Sequence, residues 1–426
     1  MRDFLFPGEY VDRELDYMDK YGVRPRTKKA FSDFVEETAA ESEIESPEYL
    51  TLRSEPTALM STPQLATLHG KRIESHIVLT KDGYLLTLHR LISSCFKNDT
   101  SGDCIQETVL LHHGFLGSSA DWILSGPDNS LPYILSNVGY DVWMTNARGN
   151  YYSRGHISRK VEDFDFWKFS WHEMGVYDLP AVVDYINSVK NSTQPMNYIG
   201  HSMGATTFLV FLSTLTEYNR YIKMAIFLAP LAYLTNVDGP LRMLKCMGNY
   251  PPEQLIKLIG QGEFMANRKV PHWIATKFCK GALMYCENPF LFFSGGLPEE
   301  DIWDTDFIAR LLYHVPAGGS TRTILHYAQL IKSGKFHKFG DEEHEYPLNK
   351  VTVPIVLISS SDDWLSTGPD VLRLFFSIPR AIDHYIIRDK KLHHGDFVWG
   401  TDANVVYDKV LEFLSHGLDQ FKTNEV

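Results

Sequence analysis

Met196-Asn-Tyr-Ile-Gly-His-Ser-Met-Gly-Ala-Thr-Thr-Phe-Leu-Val-Phe-Leu212 is the stretch on which the fold turns. Its first five residues, MNYIG, read as a short buried strand, and MGATTFLVFL reads as a buried helix. Between them lies Gly200-His201-Ser202-Met203-Gly204, a serine flanked at two removes by glycine. A sharp strand-to-helix turn crowds backbone around the serine, and glycine tolerates that crowding. The turn lifts the Ser202 hydroxyl out at the carboxyl end of a sheet. The helix N-terminus behind it favours developing negative charge. The pentapeptide is common in isolation; the strand before it and the helix after it give it meaning.

The same alternation extends in both directions. Upstream, HIVLTKDGYLLTLHRL alternates apolar and polar residues around Asp82-Gly83 and predicts a hairpin. TVLLHHG (108–114) and YDVWMTNARG predict buried strands, LPYILSNVG a short helix and VYDLPAVVDYINSVK an amphipathic helix. Downstream, KMAIFLAPL, VPIVLISS and HYIIRD predict strands, and DANVVYDKVLEFLSH a closing helix. Strands alternating with helices imply a mostly parallel sheet with helices on both faces. The pattern breaks between about Tyr233 and Pro347, a stretch rich in Phe, Met, Trp and Leu that reads as an inserted helical cap. The implied organisation is an acidic N-terminal extension (1–57), a first core segment (58–232), a cap or lid (233–347) and a second core segment (348–426).

A serine hydroxyl is a poor nucleophile near neutral pH and needs a base oriented by an acid. The order serine, acid, histidine along the chain is available here. Asp362 and Asp363 end the strand in VPIVLISSSDDWL, and His393 and His394 lie in DKKLHHGDFVW before the last helix. Acyl transfer also needs donors for an oxyanion. The candidates are the backbone N–H of Met203 and that of Phe115, in the sharp turn after TVLLHHG. His112 and His113 have no further ligand at metal spacing, so no metal site is read there. His172-Glu173 lacks the second histidine of a zinc helix, Gly260-Gln-Gly262 lacks a third glycine, and there is no phosphate-binding loop. No cofactor is implied.

Hydrophobic residues make up 44% and charged residues 22% of the 426, a globular composition; the 13% aromatic content supplies a large core and an apolar pocket. The net charge of −12 argues against broad nucleic-acid binding and against docking on anionic lipid. The longest apolar run, about Met224 to Leu234, falls short of the roughly 18 residues of a membrane span, so no transmembrane anchor is read. The charged start, MRDFLFPGEYVDRELDYMDK, has no apolar segment of a signal peptide. Residues 33–55 carry eight acidic side chains and one basic, a solvated extension or pro-segment. A bridge between Cys95 and Cys104 would clip the polar loop SSCFKNDTSGDC, and Cys279 and Cys286 form a second close pair. Asn98 and Asn191 begin glycosylation sequons. Pairs and sequons together point to the secretory pathway.

Eight stretches carry a resemblance far more specific than the pentapeptide: LTKDGYLLTLHRL, LLHHGFLGSSADWI, GYDVWMTNARGNYYSRGH, FWKFSWHEMGVYDLPAVVDYI, YIGHSMGA, FLAPLAYL, SGKFHKFG and HHGDFVWG. From about Thr62 to the last helix the chain resembles the acid lipases, the gastric and lysosomal enzymes and their insect relatives. The resemblance implies the α/β-hydrolase fold and a serine-dependent hydrolysis of neutral lipid esters, triacylglycerol or sterol ester. A net negative charge is no obstacle to an uncharged substrate presented at a droplet or micelle surface. The family writes its acid second in a pair and its histidine before x-Asp-Phe. This implies Ser202, Asp363 and His394 as nucleophile, acid and base, with Phe115 and Met203 as oxyanion donors. His393 replaces a family asparagine, and Met203 replaces the glutamine of gastric-type members. Cys279 and Cys286 look like the family's cap disulfide at tighter spacing, and a secreted or lysosomal location follows by the same resemblance. Segment 1–57 has no counterpart in the family. The alternatives are a small-ester esterase or acyltransferase on the same residues, or a lipid-binding protein without catalysis. The intact Ser, Asp and His discriminate against the last.

Overall fold

The computed structural model describes residues 59–93, 107–247, 262–265 and 305–416. The acidic extension, Cys95, Asn98, Cys104, Cys279 and Cys286 lie outside the described residues.

Eleven strands are described: β1 (Ile73–Leu79), β2 (Tyr84–Leu91), β3 (Thr108–His112), β4 (Asp141–Met144), β5 (Gly155–His156), β6 (Met196–His201), β7 (Ile222–Leu228), β8 (Glu263–Phe264), β9 (Gly319–Ser320), β10 (Ile355–Ser360) and β11 (Ala381–Ile387). Nine of them form one sheet in the order β1-β2-β4-β3-β6-β7-β10-β11, with β5 on β2. Pairing is parallel from β4 through to β11 and antiparallel in β1-β2-β4.

The central strands are continuous apolar runs because both faces are covered. Leu110, Tyr198, Phe227 and Leu357 face one core; Val109, Ile199, Ile226 and Ile358 face the other. The first core receives α3 (Leu179–Lys190) through Val182, Val183 and Ile186, and α4 (Met203–Thr214) through Phe208 and Phe211. The second receives α2 (Leu131–Asn137) and α8 (Ala403–His416), the latter through Val406, Tyr407 and Val410. The remaining described helices of seven or more residues are α1 (Thr62–Leu68), α5 (Thr305–His314), α6 (Thr321–Ser333) and α7 (Gly368–Ser377). Among the described residues no helix is long and apolar enough to cross a membrane.

Three features differ from the sequence pattern. VYDLPAVVDYINSVK is not one regular helix: Met174–Asp178 form a π turn before α3. Pro180 has no N–H to donate to the carbonyl four residues back, so the regular ladder cannot run through it. Within 233–347, α6 does not simply overlie the core. Ile324, Tyr327, Leu330 and Ile331 pack into the same apolar cluster as Trp171 and Phe208. The β8–β9 ribbon, also inside this interval, went unread because two-residue strands leave no periodicity.

The π turn delivers Asp178 to Arg148, on the loop after β4. Arg148 Nε lies 2.9 Å from Asp178 Oδ1, and its Nη atoms reach the Asp82 carboxylate at 2.6 and 2.9 Å. The guanidinium also sits 4.0 Å from the centre of the Tyr84 ring. Removing one side of a buried ion pair costs about 3–5 kcal/mol, because the other charge stays buried and uncompensated. Arg148→Met should therefore lower the urea-unfolding free energy by about that amount. Lys168→Met, which breaks an exposed pair with Asp165, should hardly move it.

Candidate active site

Ser202 joins β6 to α4 with φ 53° and ψ −115°, a conformation that side chains rarely adopt. Such a residue stores roughly 1–3 kcal/mol of strain and persists only where its surroundings enforce it. They do so here. The Ser202 N–H donates to the Leu228 carbonyl at 3.0 Å, tying the turn to the end of β7. A Cβ at Gly204 would fall 2.3 Å from the His112 carbonyl oxygen, so α4 approaches β3 through a position that only glycine fills.

The turn aims the hydroxyl at His394. His394 Nε2 lies 2.7 Å from Ser202 Oγ, and His394 Nδ1 lies 2.8 Å from Asp363 Oδ2. All three residues are buried. The other Asp363 oxygen accepts the N–H groups of Leu365 and Ser366 at 2.8 and 2.9 Å, so the carboxylate is held from both ends. The chain of hydrogen bonds runs through the second member of each doublet. Asp362 contributes its carbonyl oxygen to His393 Nδ1–H at 3.1 Å, and the His393 N–H donates to Asp396 Oδ2 at 2.8 Å. Asp362 and His393 thus brace the loop carrying His394 and do not enter the chain.

Sequence reasoning missed His201. Its Nε2–H donates to the His394 carbonyl at 2.9 Å, pinning the backbone of the histidine that faces Ser202. It stands inside the pentapeptide, beside the serine, but the carbonyl it holds is distant in sequence.

Phe115 and Leu116 lie on the loop after β3, and the Phe115 ring packs against Phe264 and Tyr327 at 6.1 and 5.9 Å between centres. Ser202 and His394 open onto a pocket lined, among the described residues, by Phe115, Leu231, Leu234, Val237, Ile324 and Tyr327 and further apolar side chains. The described part of 233–347 therefore supplies much of the pocket wall. His112 and His113 are spoken for by the loop: His113 Nδ1–H donates to the Gly114 carbonyl at 2.7 Å, and its Nε2 accepts the Ala147 N–H at 3.0 Å. Among the described residues no group of three His, Cys, Asp or Glu is placed to hold a metal ion. Asn191 is exposed at the C-terminal cap of α3, in a left-handed conformation.

The fold and the hydrogen-bonded Ser-His-Asp chain at its elbow define an α/β-hydrolase. Family models describing the alpha/beta hydrolase fold and a partial alpha/beta-hydrolase lipase region match residues 107–257 and 62–126. The chain is 37% identical to Lipase 3 of Drosophila melanogaster, covering 80% of this chain and 90% of that protein. It is 31% identical to gastric triacylglycerol lipase of Mus musculus, over 84% of this chain and 93% of that one. It is 32% identical to lysosomal acid lipase/cholesteryl ester hydrolase of Rattus norvegicus, over 84% and 92%. The chain belongs to the acid lipase family.

The histidines beneath the elbow carry a pH signature. Burial pushes His112 down to about 4. Burial, aided by neighbouring imidazoles, pushes His113 and His201 down to about 3. In the unfolded chain they titrate near 6.5. Between about pH 4 and 6.5 the unfolded state binds protons that the folded state does not, so stability falls on acidification. His113→Asn removes one such group. Its plot of unfolding free energy against pH, taken from pH 5 to 6, should be flatter than wild type by about 1 kcal/mol per pH unit.

Proposed function

We propose that this chain hydrolyses carboxylic esters of neutral lipids, triacylglycerol or sterol ester, through an acyl-enzyme on Ser202. The observation that carries the proposal is the Ser202–His394–Asp363 hydrogen-bond chain opening onto an apolar pocket. Ser202 Oγ attacks the ester carbonyl while its proton passes to His394 Nε2. Asp363 holds the imidazole by Nδ1–H and stabilises its charged form. The carbonyl oxygen, now an oxyanion, accepts hydrogen bonds from the backbone N–H groups of Phe115 and Met203. Neither amide makes a hydrogen bond among the described residues. His394 returns the proton to the departing alcohol. A water molecule then gives His394 a proton, attacks the acyl carbon and releases the acid, and the proton goes back to Ser202.

The apolar pocket favours a long acyl chain, at roughly 0.8 kcal/mol for each buried CH₂. We assign residues 233–347 the role of cover, docking at a droplet or micelle surface and moving to admit substrate. The names of the gastric and lysosomal relatives support export to a secreted or lysosomal location. There a glycan on Asn98 and Asn191 and bridges Cys95–Cys104 and Cys279–Cys286 would form. A mobility shift on glycosidase treatment and non-reducing peptide mapping check this; five free thiols in protein made through the secretory pathway would count against it.

Hydrolysis of a panel of glyceride and cholesteryl esters, with short-acyl esters for comparison, tests the activity. Ser202→Ala should lose about 10⁴-fold or more in kcat while keeping its fold. Asp363→Asn and His394→Ala should each lose orders of magnitude, and Asp362→Asn and His393→Ala far less. The reverse ranking would move the assignment by one residue. Turnover confined to short-acyl esters would point instead to a small-ester esterase.

A further inference from the structure

Asp121 sits in the pocket wall, on the short helical turn Ser119–Trp122 that follows the Phe115 loop. It is 3% exposed, and its Oδ1 has no hydrogen-bond partner. Among the described residues no cation pairs with it. The other oxygen is committed to the loop. Oδ2 lies so close to Gly117 that a Cβ there would fall 2.0 Å from it. Within the turn the Asp121 N–H donates to the Ser118 carbonyl at 3.2 Å. The side chain is therefore packed tightly against the Gly117 backbone in the pocket wall.

A buried polar atom without a partner is costly, and native proteins keep few of them. Of the other polar side chains of the pocket, Ser202 and His394 face each other and His201 holds the His394 carbonyl, while the buried Tyr327 hydroxyl, like Asp121 Oδ1, has no partner and adds a second polar atom to the wall. Burial, the dominant cause, pushes the Asp121 carboxyl up to about 7. Over the acidic range it is a neutral group that both donates and accepts. A hydroxyl is the partner that suits it in either state, since it donates to a carboxylate and accepts from a carboxylic acid.

We infer that Asp121 is a specificity-determining residue that binds a free hydroxyl of the substrate, so that the preferred esters carry a hydroxyl in addition to the scissile bond. Such a hydroxyl has two sources, the alcohol half of a partial glyceride or a hydroxylated acyl chain. The inference rests on the ester-hydrolase reading and narrows its substrate class.

The test compares kcat/KM on propyl octanoate, 1-octanoylglycerol, and the propyl esters of 3-hydroxy- and 8-hydroxyoctanoic acid. Wild type should favour at least one hydroxylated ester over propyl octanoate by about tenfold, roughly the value of one hydrogen bond. Preference for octanoylglycerol places the hydroxyl on the alcohol side, and preference for a hydroxyoctanoate on the acyl side. In Asp121→Leu that ratio should fall to one or below, whereas Asp121→Asn, which keeps a donor and an acceptor, should retain a preference. Ratios of one or less throughout in wild type overturn the inference, and this holds even if Asp121→Leu does not fold. A wild-type preference that survives intact in Asp121→Leu overturns it equally. No turnover of any of the four esters by wild type would instead overturn the hydrolase reading on which the inference stands.

Discussion

The hydrogen bond from the Ser202 N–H to the Leu228 carbonyl holds a backbone conformation that a serine would not keep alone. Everything at the site depends on that constraint. β6 and β7 are neighbours in the sheet, so the end of one fixes the turn at the end of the other. Gly204 lets α4 leave against the His112 carbonyl, which sets the direction of the helix. With the turn relaxed, Oγ would not stand within hydrogen-bond distance of His394. The roughly 1–3 kcal/mol stored in the turn is balanced by two apolar cores packed on either face of the sheet.

The opposite wall is built on a different principle. His394 comes from an irregular loop, where backbone has no ladder to hold it. Its position is fixed by polar contacts instead: Asp363 at Nδ1, His201 at the carbonyl oxygen, and the bracing of His393 by Asp362 and Asp396. Burial makes these contacts count, since a buried hydrogen bond left unmade is penalised more than a surface one. It also keeps His201 neutral, so that it serves as a fixed donor beside Ser202 and His394.

Much of this was legible in the sequence, because the elbow, the strand ends and the doublets are local patterns. MNYIG followed by MGATTFLVFL specifies a strand, a turn and a helix whatever surrounds them. The choice of Asp363 over Asp362, and of His394 over His393, was not legible from spacing: it came from family resemblance, and the hydrogen-bond chain from Ser202 runs through His394 and Asp363. The π turn at Met174–Asp178 escaped because amphipathic spacing says nothing of a hydrogen-bond ladder interrupted at Pro180. The depth of α6 escaped because its composition matches a cap as well as a core. Asp121 and His201 escaped for a further reason. Their significance lies in what they fail to contact or in a carbonyl distant in sequence, and a one-dimensional pattern carries neither.

The central claim is that the strained Ser202 is the residue that takes the acyl group. Rapid quenching of the enzyme during turnover of a p-nitrophenyl long-chain ester, followed by peptide mass mapping, tests it most directly. The account predicts a burst approaching one nitrophenol per chain and an acyl mass increment on the peptide carrying Ser202. An increment on any other residue, or turnover with no acylated peptide under conditions that accumulate the burst, would contradict it.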